Sequence, residues 1–252
     1  MKEFDFRTSQ NHALIAPRNV NIETACILKA LKRANDLLTD VSNFEVDIFA
    51  LLGMRNLSAF VGEVFVVSLN RERPELFIKN PHQDGYPDLL LLDPLGKEHW
   101  ESLKDRRSEK APFSPFSTGG LEIKATCGSV PSARDRQRKG LSKHKISETR
   151  IQDLLGFDWK SHHRSTNNLL GLLWDFINGL PTIVAVFYRG DLNIEDWGKI
   201  VQPRTDGGRT TSVSIMTKKG VKKMYEGWLL VIDSSEYCTQ IDKINHGTLL
   251  SR

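Results

Sequence analysis

Two short stretches of the 252-residue chain hold side chains able to support metal-assisted hydrolysis. One is Gly85-Tyr86-Pro87-Asp88, which runs into Leu89-Leu90-Leu91-Leu92-Asp93; the other is Gly119-Gly120-Leu121-Glu122-Ile123-Lys124-Ala125-Thr126. Each reads as a buried strand. Side chains alternate across a strand, so Glu122 and Lys124 share one face while Leu121, Ile123 and Ala125 take the other. Asp88 enters its strand from a Gly and Pro corner, where a polar side chain can sit at the rim of an apolar sheet. If the two strands pair, two carboxylates and an ammonium converge, a set suited to a hard divalent cation and an activated water. The alternative is a surface Glu-Lys pair and a turn Asp, worth little to stability. Against it stand the apolar flanks, among which three charges without a role would be costly.

Pro87-Asp88 and Glu122-Ile123-Lys124 resemble the two halves of the PD-(D/E)xK nuclease motif. That resemblance implies an α/β fold: a restriction-endonuclease-like αβββαβ core, its mixed central sheet flanked by helices, with Asp88 and Glu122 on the second and third strands. It makes Asp88, Glu122 and Lys124 catalytic, and it places Mg2+ on Asp88, Glu122 and the backbone carbonyl of Ile123. A helix before the metal-binding strands sometimes adds a carboxylate in this superfamily, which makes Glu63 a secondary candidate. Asp84 and Asp93 are rivals to Asp88. Asp84 sits in a turn, a usual place for a structural Asp, and Asp93 lies five positions on, pointing to the other face of an ideal strand.

The elements that must position these groups follow from periodicity. Apolar residues at helical spacing predict an amphipathic helix over 22–38 and a second over 58–69, with Ser58 as its N-cap. A short strand is expected over 75–78, and residues 97–117 read as a polar insertion or long loop tethered by Trp100. A short helix over 146–155 and a largely buried one over 168–178, closed by Gly179, precede an interior strand over 181–188. Beyond these, 207–216 alternates as an antiparallel strand. A lysine-bearing helix and a strand over 228–232 complete the chain. The expected arrangement is therefore a single domain over 1–252, with a nuclease core at about 58–188, an N-terminal helical elaboration, and a C-terminal β/α elaboration at about 200–252.

Charge is spread unevenly. The net balance of +4 is mild, but 132–145 holds Arg134, Arg136, Arg138, Lys139, Lys143 and Lys145 with only Asp135 opposing. Such density suits phosphate contacts, and its place just after Glu122-Ile123-Lys124 would lay a nucleic-acid backbone across the carboxylates. Arg209, Lys218 and Lys219 form a weaker second set. Adjacent His162 and His163 lack the spacing of a zinc pair and could instead bond bases or phosphates.

Three scattered cysteines, without any C-x-x-C, argue against a disulfide framework or a thiolate zinc site. The first residues lack the apolar core of a signal peptide, and no apolar run approaches bilayer length, so a soluble cytoplasmic protein without a membrane partner is expected. No P-loop is present, which argues against ATP. Within the superfamily the chain resembles a type II restriction endonuclease. That implies sequence-specific, magnesium-dependent hydrolysis of double-stranded DNA by a homodimer whose two-fold symmetry matches a palindromic site. A repair or transposition nuclease of the same fold, or a non-catalytic DNA-binding protein, are the alternatives.

Overall fold

A computed structural model of the chain describes residues 4–202, 212–247 and 249. Three short strands open it: β1 (Phe6–Thr8), β2 (Ala13–Ile15) and β3 (Val20–Ile22). Helices α1 (Thr24–Val41) and α2 (Ile48–Glu72) follow, then β4 (Phe77–Lys79) and β5 (Leu89–Leu91). Next come α3 (Pro94–Ser102), β6 (Gly120–Thr126), α4 (Ala133–Arg138), β7 (Lys160–Ser161), β8 (Leu169–Ile177) and β9 (Leu180–Arg189). The chain closes with β10 (Ser214–Ile215), α5 (Lys218–Glu226), β11 (Trp228–Ile232) and α6 (Ser235–Ile244).

Seven strands form one mixed sheet in the order β1-β11-β9-β8-β6-β5-β4, in which β6 and β8 are parallel and every other pair is antiparallel. The fold is thus α/β, with helices on both faces of the sheet. On one face α1 and α2 cover a core that includes Ile27, Leu31, Phe65, Leu121, Ile123 and Trp174. The other face buries Trp159, Phe187, Trp197, Met224 and Trp228 beneath α5 and α6. A third, smaller core of Leu90, Trp100, Leu103, Phe113 and Phe116 holds the 97–117 segment to β5, and Trp100 packs edge-on against Phe113. That segment was expected to lack structure of its own, but α3 runs into it.

The largest departure from expectation is 168–178, which is the central strand β8 rather than a helix. Lying between β6 and β9, it is buried on both faces, so no polar alternation marks it. Its length and leucine content then imitate a core helix. Gly179 does not cap a helix; with Asn178 it makes the two-residue turn into β9, the pair having φ of 53° and 82°. Positive φ at both central positions is the turn that matches the twist of paired strands, and Asn-Gly is its sequence signature.

Other boundaries also move. The helix expected at 58–69 starts at Ile48, and its N-cap is Asp47, which accepts from the Ala50 N–H at 3.0 Å. Ser58 lies inside this helix, where its Oγ accepts from the Trp174 indole at 3.1 Å. A break at Gly53 (φ 63°) turns the two arms of α2 through 109°. Among the described residues, no single helix is long and apolar enough to cross a membrane. The helix expected over 146–155 reduces to a 3-10 turn at Ile151–Asp153, because buried Asp175 accepts from the backbone N–H groups of Arg150 and Ile151. Of the expected strand at 207–216, only Ser214–Ile215 is a strand, and residues 207–211 lie outside the described set. Strand β11 belongs to the central sheet rather than to an appendage.

Candidate active site

Strands β5 and β6 pair only through Leu89 with Leu121 and Leu90 with Gly120. Beyond that point β5 turns away, and the Asp88 side chain takes over the place of the next ladder bond: its Oδ2 accepts from the Ile123 N–H at 2.8 Å. Backbone N–H and C=O of one strand residue point to the same edge. The Ile123 carbonyl is therefore turned toward Asp88, while the Glu122 N–H, on the opposite edge, donates to the Asn168 carbonyl at 3.0 Å.

Two residues hold the corner that delivers Asp88. Asn80 is buried; its amide nitrogen donates to the carbonyls of Pro87 and Phe113, each at 2.9 Å, and its backbone N–H donates to the Asp88 carbonyl at 2.9 Å. Gly120 lets the chains close: a Cβ there would lie 2.0 Å from the Leu89 carbonyl oxygen and 2.7 Å from the Pro87 ring. Neither residue is of a type that marks it in the sequence as part of the site.

Asp88, Glu122 and Lys124 come together as expected. The Lys124 ammonium lies 2.6 Å from Glu122 Oε1 and 3.4 Å from Asp88 Oδ2. Glu122 is 4% exposed, and its second oxygen, Oε2, is buried without a hydrogen-bond partner. Burial pushes the Glu122 carboxyl up to about 7, with Lys124 opposing and Asp88 reinforcing the shift. For Lys124, burial works against the ammonium, but the two carboxylates outweigh it and raise its pKa. The site thus holds one firm positive charge between two acids, one of them readily protonated. An unpartnered carboxylate oxygen beside a second carboxylate and a backbone carbonyl fits a hard divalent cation.

These groups floor a cleft of about 760 Å3. One wall is α2, through Ser58, Gly62 and Glu63; another is the 83–85 turn with Lys110; the third is 160–163 with Val213. Glu63 reaches the cleft but is half-exposed and paired with Lys79 at 2.6 Å. Among the described residues no three His, Cys, Asp or Glu side chains gather as a metal site, so Glu63 does not join Asp88 and Glu122. Asp84 stands at the rim, paired with Lys110 at 2.5 Å. Asp93 is elsewhere: it caps α3 by accepting from the Gly96 N–H and forms an ion pair with Arg18.

Among the described residues, the cations that line this cleft, besides Lys124, are Lys110 and Lys160, with His162 and His163. His163 packs its ring on Tyr86 at 5.2 Å, and burial together with His162, Lys124 and Lys110 lowers its pKa. The expected basic run lies outside the cleft. Arg134, Arg138, Lys139 and Lys143 are exposed, on or just after α4. Arg136 is turned inward, donating to the Ser142 carbonyl at 2.6 Å and pairing with Asp153, and so serves the loop's own structure. Lys219 pairs with Glu195 at 2.6 Å, Lys218 is exposed at the start of α5, and Arg209 is outside the described residues. Density of charge in the sequence pointed to the crossover. The cleft draws its cations singly, from 110 and 160, where no run marks them.

Comparison of the chain with protein-family models, with curated proteins and with solved structures finds no match.

Proposed function

We propose that the chain is a divalent-cation-dependent endonuclease that hydrolyses phosphodiester bonds of double-stranded DNA, in the manner of a type II restriction enzyme. The observation that carries this reading is the placement of Asp88 and Glu122 on either side of the Lys124 ammonium, on the floor of an open cleft. The order α2, β4, β5, α3, β6, α4, β7, β8, with β6 and β8 parallel, supports an αβββαβ core of the restriction-endonuclease kind in which α3 and β7 are insertions.

Mg2+, when bound, supplies charge neutralisation on the phosphate and a more acidic water. Asp88, Glu122 and the Ile123 carbonyl would hold it, and Glu122 must be ionised to do so. Lys124 keeps its proton in this setting and so acts by charge: it orients the scissile phosphate and stabilises the extra negative charge that develops during attack. The ion pairs with Asp88 and Glu122 hold the Lys124 ammonium at the floor of the cleft, where it would meet the phosphate. Lys110 and Lys160, both lining the cleft, provide backbone contacts that draw a polyanion into it.

The reading is tested by incubating supercoiled plasmid with the purified chain in Mg2+ or in EDTA. Nicked or linear product in Mg2+ alone is expected. Plasmid left intact across Mg2+ and Mn2+, at protein excess, would refute it.

A further inference from the structure

We propose that a second groove, beyond the Asp158 and Met216 end of the β7/β10 ribbon, binds the sugar-phosphate backbone of the same duplex that enters the Asp88 cleft. The assignment rests on the nuclease reading for its duplex partner. The groove itself encloses about 1110 Å3, and four lysines from three distant segments line it: Lys139 after α4, Lys218 and Lys222 on α5, and Lys243 on α6. Two basic clusters that stand some eighty residues apart in the sequence therefore meet at one surface. All four lysines are exposed; the ion pair recorded for one of them is the loose 4.0 Å contact between Lys222 and Glu226.

The acidic residues of the lining do not cancel this charge. Asp153 is already engaged by Arg136 and by His144 at 3.0 Å. Asp158 is a single carboxylate against four lysines. A second feature points independently to a ligand. Asn245 in the groove wall is 1% exposed, and neither its amide nitrogen nor its amide oxygen has a partner. Buried amides are ordinarily satisfied, so an unpartnered amide in the groove wall favours a polar ligand there.

Groove and cleft share one ribbon. In β7/β10, Lys160 stands opposite Ile215 and Ser161 opposite Ser214. Lys160, Ser161, His162 and Val213 line the cleft, while Asp158 and Met216, flanking the ribbon, line the groove, so one duplex lying along it reaches both.

The test is fluorescence anisotropy of a 30-base-pair duplex in EDTA, over a range of salt. It compares the full chain, the triple variant Lys218→Gln, Lys222→Gln, Lys243→Gln, and a control with equal charge loss, Lys29→Gln, Lys97→Gln, Lys104→Gln. The groove variant is expected to bind at least tenfold more weakly, with the slope of log affinity on log salt reduced by about two to three, at ~0.9 per phosphate contact. The control should keep the wild-type slope. Asn245→Ala, a neutral change, should weaken binding with the slope unaltered. Equal effects in both triple variants, no effect in either, or tighter groove-dependent binding of polyglutamate than of duplex would overturn the proposal. Groove-dependent binding without Mg2+-dependent cleavage would sink the nuclease reading and leave the groove standing. Cleavage with an unchanged slope would do the reverse.

Discussion

The Asp88 carboxylate accepts the backbone N–H of Ile123 at 2.8 Å, at the point where strands β5 and β6 cease to pair. One side chain therefore joins the two halves of the motif as well as facing the cleft. Asp88→Ala should cost about 2 kcal/mol of stability, the usual worth of a hydrogen bond to a charged group. Asp88→Asn keeps an acceptor and should cost less, yet should be as inactive as the alanine variant. Urea denaturation beside cleavage assays separates the two roles.

Glu122 makes the cation-free protein sensitive to pH. The folded chain keeps a proton on this buried carboxyl up to about pH 7, whereas the unfolded chain, with an ordinary value of 4.5, has already released it. Wherever the folded state binds more protons, rising pH lowers stability, so the loss accrues between 4.5 and about 7 and is complete above that range. Thermal melts in EDTA at pH 5 and pH 8 should show a larger drop for wild type than for Glu122→Gln. Apparent Mg2+ affinity should rise over the same interval and then level off.

Asn80 is a positioning residue, since it touches the Asp88 corner and not the cleft. Asn80→Ala leaves the buried carbonyls of Pro87 and Phe113 unpaired and should destabilise the chain by about 2–3 kcal/mol. Displacing Asp88 by a fraction of an ångström should reduce kcat more than it raises KM. Asn80→Asp has the same shape but cannot donate, and should behave like the alanine variant in both readouts.

The Asn178-Gly179 turn sets the register of β8 against β9. Gly179, at φ 82°, should tolerate alanine poorly, with a loss of about 1 kcal/mol, while Asn178→Gly at φ 53° should be close to neutral. Chemical denaturation of the two variants measures both.

That turn also shows what was legible in the sequence and what was not. Asp88, Glu122 and Lys124 could be found because their geometry is local: alternation along β6 puts Glu122 and Lys124 on one face, and the Gly-Tyr-Pro corner precedes Asp88. Strand β8 was hidden because burial on both faces erases the period on which strand reading depends. Asn178-Gly179 was the surviving signal, and it was read as a helix end. The inward turn of Arg136 was not legible, because composition cannot distinguish a cation facing outward from one that pairs with Asp153, seventeen residues away. The short strands β1, β2 and β3 fell below the length at which alternation can be seen. Asn80 gave no sign of its part, since its partners lie at Pro87 and Phe113 and are joined only by the fold.

The central claim is that Asp88, Glu122 and Lys124 together cleave DNA with a divalent cation. Its most direct measurement is digestion of a long unmethylated duplex by wild type, Asp88→Ala, Glu122→Gln and Lys124→Ala, each in Mg2+ and in EDTA, with folding of every variant checked by circular dichroism. Discrete fragments from wild type in Mg2+ alone, with at least 1,000-fold slower cleavage by all three folded variants, are predicted on the scale set by removing a group that stabilises transition-state charge. Cleavage that persists at the wild-type rate in Asp88→Ala or Lys124→Ala, or that proceeds in EDTA, would contradict the claim.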